Sequence, residues 1–122
     1  MRVKRWKGFE SNLAYRVEIT DSALADAEQY VHFIQEEKQE PEAAERWFRG
    51  LVKAMLALQE LPHRCPVIPE AEEFNLELRQ AIYYSYRIIF RVDKSTRLVT
   101  ILRVYHGSRK ELRSEDLPSE IK

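Results

Sequence analysis

The hydrophobic periods of this 122-residue chain predict an α+β fold, an antiparallel helix hairpin packed on one face of a small, mainly antiparallel sheet. Three observations carry that expectation. An early segment alternates apolar and polar residues as a half-buried strand does; two stretches after it repeat apolar residues at intervals of three and four; three later segments read as strands, the middle one alternating again. Each element then has one apolar face, and one layer can bury them all. At this length a single core is expected and two are not.

The first strand is AYRVEIT, with Tyr15, Val17 and Ile19 on one side and Arg16 and Glu18 on the other. Thr20 or Asp21 follows as a helix cap, because a short side-chain oxygen there accepts from the free amides of the first turn. Ala23, Leu24, Ala27, Tyr30, Val31 and Ile34 then form a one-sided helical stripe. The run EEKQEP breaks it, and Pro41 suits a first helical position, where its missing amide would have no partner anyway. A second stripe runs through Ala44, Trp47, Phe48, Leu51, Met55 and Leu58, with Arg46, Arg49 and Lys53 opposite. The short link makes the helices antiparallel neighbours.

Pro62, Pro66 and Pro69 end helix formation, so residues 62–74 read as an irregular crossover. Strands are expected at 76–84, 86–92 and 98–105, the last two joined by the polar link Asp93-Lys94-Ser95-Thr96. In the middle one, Tyr86, Ile88, Phe90 and Val92 face the helices, while Arg87, Ile89 and Arg91 face away. Residues 1–13 read as a basic arm, 14–113 as the domain and 114–122 as a polar tail, with arm and tail expected to be mobile.

The composition excludes several classes. No run of 18 uncharged apolar residues occurs, and no apolar stretch follows the charged N-terminus, so a soluble cytoplasmic protein that engages no membrane is expected. Cys65 is the only cysteine and cannot form an internal disulfide; it reads as an unreactive thiol. His32, His63 and His106 are scattered, no histidine or cysteine pair has ligand spacing, and three glycines build no phosphate loop. Neither a metal nor a cofactor is expected. Glu70, Glu72 and Glu73 read as a solvated charge run, and the aromatic stripe of Trp47, Phe48, Tyr83, Tyr84, Tyr86 and Phe90 as core.

Twenty basic and twenty acidic residues cancel, but they are not mixed. Residues 18–45 hold nine acids against Lys38, and residues 79–113 hold nine bases against Asp93 and Glu111. A basic part of this kind can meet phosphate or an acidic protein surface. Arg87 and Arg91 share one strand face, with Arg79 and Arg103 on adjacent strands. Bringing them together costs free energy unless an anion or acidic partner compensates, so these arginines, with Tyr105, His106 and Arg109 at the end of the last strand, are the candidate target-binding residues.

The ordered set YRVEIT-DSALADAEQYVHFI, LQELPHRCP, LRQAIYYSYRIIFRVD and VTILRVYHGSRKEL resembles the RelE/ParE toxin superfamily of type II toxin–antitoxin modules, over roughly residues 14–112. The resemblance implies the RelE/ParE-like order β-α-α-β-β-β and a growth-inhibiting toxin of the kind that stabilises plasmids, masked by a cognate antitoxin. It also implies one of two targets: the ribosome and its mRNA, cut by RelE-like members, or DNA gyrase, inhibited by ParE-like members. RNA cleavage requires a base for the 2′-hydroxyl, cations for the phosphorane and an acid for the leaving oxygen. On the RelE-like reading Arg87, His106 and Arg109 supply these roles. The lysine pair of RelE-like enzymes is missing, for Leu78, Arg79 and Gln80 stand there, and RVYHGSR is similar to the ParE-like ending. Balanced charge also weighs against ribosomal RNA as a ligand. The gyrase branch is therefore the expected one, with a ribosome-dependent mRNA endonuclease or a non-toxic binding relative as the alternatives.

Overall fold

The computed structural model describes residues 14–74, 76–107 and 112–117. Its order is β1 (Arg16–Ile19), α1 (Asp21–Glu36), α2 (Pro41–Leu56), a short α3 (Ala71–Phe74), β2 (Leu78–Tyr83), β3 (Tyr86–Asp93) and β4 (Leu98–His106). The sheet runs β1-β4-β3-β2, with β1 parallel to β4 and the other pairs antiparallel. The expected arm lies outside the described residues.

Both helix starts follow from local chemistry. Thr20 caps α1, its hydroxyl accepting from the Ala23 amide at 3.2 Å, and Pro41 opens α2. Ala23 and Ala27 of α1 and Leu51 and Met55 of α2 pack with Val17, Ile19, Ile88, Phe90, Val99, Ile101 and Val104 of the sheet. Phe90 belongs to that layer and Trp47, Phe48, Tyr83 and Tyr86 border it, as expected of core aromatics, but Tyr84 is 79% exposed at the β2–β3 turn and the expectation fails there.

The reverse face differs from expectation. Instead of an open arginine surface it carries a second apolar layer of Ile68, Ala71, Leu78, Ile89, Leu102, Tyr105, Leu112 and Leu117. The crossover supplies the first two and the C-terminal segment the last two. Alternation alone missed this cover because its residues lie outside the strands. The expected polar tail is likewise corrected at its start: Leu117 is 6% exposed and belongs to this layer. Residues 118–122 lie outside the described residues.

A bulge lets one strand serve both layers. Ile89 pairs with Arg103 but Phe90 pairs with Ile101, leaving Leu102 as an extra residue in β4. Ile101 and Val104, three residues apart, therefore both pack with the helices, while Leu102 lies in the reverse layer, and all three are fully buried. Beyond the end of β1, side chains of Thr20 and α1 satisfy the outer edge of β4. The Thr20 hydroxyl donates, shared between the Ile101 and Leu102 carbonyls at 2.8 and 3.1 Å; Asp26 accepts from the Val104 amide at 2.9 Å, and the Tyr30 hydroxyl from the His106 amide at 3.3 Å. Unpaired buried amides and carbonyls are thus avoided without a fifth strand. No described helix is long and apolar enough to cross a membrane.

Candidate functional site

The four strand arginines do not form one cluster. Arg79 lies on the opposite side of β2 from the residues that meet Arg87, and reaches into the crossover. Its Nη1 donates to the carbonyls of His63 at 3.1 Å and Cys65 at 2.5 Å, and Nε and Nη2 bind Glu77 at 3.0 and 2.6 Å. It thereby ties residues 62–66 to the sheet edge, where the Ile68 amide donates to Leu78 and the Gln80 amide to Pro66.

Arg87 lies on the reverse face, opposite Ile82 on one side and Tyr105 on the other. Its Nε donates to Gln80 at 2.6 Å and its Nη2 to both Glu70 oxygens at 3.1 and 3.2 Å. Glu70 also accepts the Leu112 amide at 3.0 Å. The side chains are 15% and 5% exposed, so this is an internal ion pair joining crossover, sheet and C-terminal segment. Burial pushes the Glu70 carboxyl up, and Arg87 with the Leu112 amide outweighs it, leaving the group below its ordinary range. The expectation of a solvated charge run fails at Glu70, which is 6% exposed.

Arg103 is held similarly. Its Nε and Nη2 grip Asp26 at 2.8 and 2.7 Å, its Nη1 donates to the Asp116 carbonyl at 2.8 Å, and its guanidinium lies 4.9 Å from the Tyr105 ring centre. The hydrogen bonds it donates to Asp26 raise its already high pKa, against the effect of burial. Compensation that the sequence seemed to ask of an external anion thus comes from Glu70 and Asp26. Arg91 is half-buried and by alternation shares the face of Arg87.

The end of β4 is arranged differently again. Tyr105 is 3% exposed, and burial raises its phenol far above the ordinary value. The half-exposed His106 ring meets Tyr86 edge-on at 5.1 Å, within an aromatic group in which Tyr86 contacts Tyr30 at 4.8 Å and Trp47 at 5.0 Å. Arg109 lies outside the described residues. Of the residues named for RNA chemistry, Arg87 is in an ion pair and His106 in an aromatic cluster, on different faces. Burial raises the Cys65 thiol, which disfavours a nucleophilic role. Among the described residues no group of three or more histidines, cysteines or carboxylates could hold a metal ion.

Three functional partners escaped the sequence reading. Asp26 had a signal: it lies three residues after Ala23 and beside Ala27, on the apolar stripe of α1, where an acid requires a buried base. Glu70 and Gln80 had none, since their alignment with Arg87 depends on the crossover folding over the sheet.

No curated protein sequence matches the chain. Among solved structures, it is similar to the toxin–antitoxin complex RelBE2 of Mycobacterium tuberculosis, with 25% identity, coverage of 76% of this chain and 98% of that one, and a TM-score of 0.55. The chromosomal ParDE system of P. aeruginosa shares the fold at 20% identity, covering 79% and 98%, with a TM-score of 0.56. So does the archaeal RelE–RelB complex of Pyrococcus horikoshii, at 21% identity, 80% and 99% coverage and a TM-score of 0.51. The family model described as ParE toxin of type II toxin–antitoxin system, parDE, matches residues 17–111. Together with the strand-hairpin-meander order and the arginine-bearing sheet, that match over most of the chain means that the protein belongs to the ParE toxin family.

Proposed function

We propose that this protein is a cytoplasmic toxin that inhibits DNA gyrase by binding, without hydrolysis, and that a cognate antitoxin masks it. The observation that carries this reading is the capture of Arg87 by Glu70 and Gln80. A ribonuclease needs that cation to meet a phosphorane, and here its hydrogen bonds already go to an internal carboxylate. Tyr105 supports the same reading, because a buried phenol with a raised pKa is a poor base for a 2′-hydroxyl. Neither feature impedes a protein that acts by docking. The complexes named for the RelBE2, ParDE and RelE–RelB relatives support an antitoxin partner for this chain as well.

The test uses two assays on one preparation. Purified protein should block supercoiling by host gyrase and leave ribosome-bound mRNA intact in a translating extract. Codon-specific cleavage in that extract, with supercoiling untouched, would overturn the proposal.

A further inference from the structure

Two features have no part in the toxin reading: a groove between the helices and the basic residues that precede β1. The groove lies between the second half of α1 and the first half of α2 and encloses about 460 Å³, room for a large side chain. Val31, Ala44 and Phe48 give it an apolar lining, and Glu28, Glu45 and His32 a polar one. Glu28 is exposed and has no partner among the described residues. Glu45 pairs with Arg49 one turn on, but their side chains are 69% and 71% exposed, so water screens that pair.

The strands do not neutralise this acidic face. Helix α1 holds no lysine or arginine, and Arg79, Arg87 and Arg103 are committed to Glu77, Glu70 and Asp26. The densest block of bases in the chain stands at its start, where Arg2, Lys4, Arg5 and Lys7 precede the first acid, Glu10. Val3, Trp6 and Phe9 stand among and beside them, so this segment is basic and apolar where the groove is acidic and apolar.

The segment also reaches. The Tyr15 amide donates to the Gln59 carbonyl at 2.9 Å, just beyond the end of α2. From there Phe48 lies about 17 Å back along the helix and Pro41 about 27 Å. Extended chain carries Phe9 up to about 20 Å and Trp6 up to about 30 Å from Tyr15, which brings both within range of the groove.

We propose that the groove between α1 and α2 is the docking site of the chain's own N-terminal segment, residues 1–13, which lie outside the described residues. Trp6 enters the apolar part beside Val31 and Phe48, and Arg5 and Lys7 meet Glu28 and Glu45. Tethering gives the segment an effective concentration on the order of millimolar, so a separate basic partner has to displace it to enter. The proposal does not depend on which target the toxin has.

The test is tryptic cleavage after Lys7 in the full chain, each variant timed against a free peptide of its own residues 1–13. Cleavage tracks the population of the undocked form, so wild type should be cut at least about fivefold more slowly than its peptide. Glu28→Lys reverses an exposed, unpaired charge and should lose most of that protection with an unchanged melting point. That loss supports the proposal, and protection untouched in a folded Glu28→Lys chain overturns it. Should Glu28→Lys fold poorly, Trp6→Ala decides in the same way. A wild-type rate equal to that of the peptide overturns the proposal outright. Protection that falls on dilution assigns the groove to the segment of a second copy, and protection seen only with antitoxin present assigns the segment to that partner; either result overturns docking within one chain. Gyrase supercoiling is read separately, so none of these outcomes touches the gyrase reading.

Discussion

Glu70→Gln is the sharpest probe of the reverse face. It keeps the shape and one acceptor oxygen but removes the charge opposite Arg87. Removing one partner of a buried ion pair costs about 3–5 kcal/mol. Here glutamine still accepts one bond, and Arg87 retains Gln80 and is 15% exposed, so a loss of about 2 kcal/mol is expected at neutral pH. For a domain of this size that lowers the melting midpoint by roughly 6–10 °C.

The loss should concentrate in residues 112–117. Burying Leu112 and Leu117 contributes about 3–6 kcal/mol. The charge-assisted bonds from Leu112 to Glu70 and from Arg103 to the Asp116 carbonyl add about 3–6 kcal/mol together. Ordering these residues costs about 1–2 kcal/mol each, a total of similar size. The segment is held by a narrow margin, and weakening Glu70 should release it first. Amide exchange in residues 112–117 should therefore accelerate more than in β3.

pH supplies the second arm of the test. The folded Glu70 carboxyl lies below its ordinary value of 4.5, so as pH falls the unfolded chain takes up this proton first. The contribution is complete above the ordinary value and disappears as pH drops through the folded one. Denaturant melts of wild type and Glu70→Gln should differ at pH 7 and draw together as the pH is taken below the ordinary carboxylate value. A difference below about 0.5 kcal/mol at pH 7, or one that does not shrink with acid, would refute this account of the ion pair.

Two further substitutions probe the helix side. Asp26→Asn should destabilise by about 2–3 kcal/mol in a denaturant melt, because it unpairs Arg103 and weakens the acceptor for the Val104 amide. Gly50→Ala would drive a methyl group into the Tyr83 hydroxyl, with the ring Cζ 3.0 Å away, and displace that hydroxyl from its 2.8 Å bond to the Trp47 carbonyl. A loss of about 1–3 kcal/mol is expected despite alanine's better helix propensity, read as a lower melting temperature.

The sequence revealed what depends on local period and concealed what depends on folding over. Thr20, Pro41 and the apolar stripes marked both helices, and alternation marked every strand within two residues of its observed ends. Alternation could not decide whether Ile101 or Leu102 faces inward, because both faces of β4 are covered by apolar layers and both residues are buried. The arginine face was read as open because its cover, Ile68, Ala71, Leu112 and Leu117, comes from segments with no strand period. Asp26 on an apolar stripe was a legible warning that one arginine had an internal partner. Glu70, between Pro69 and Ala71, carried no such mark.

The same geometry bears on which branch of the superfamily the chain follows. For Arg87 to meet a phosphate, it must leave Glu70, which is 5% exposed in the pair and whose carboxylate then keeps the Leu112 amide and its own backbone but loses its charge partner. An uncompensated buried charge costs several kcal/mol, about what a new arginine–phosphate pair would return. Moving residues 112–117 aside to hydrate Glu70 would lower that cost but expose Leu112, Leu117 and the layer beneath them. A nuclease built on this face would thus spend its binding energy opening the site before stabilising any transition state. The energetics therefore weigh against a reaction that works through Arg87 on this face.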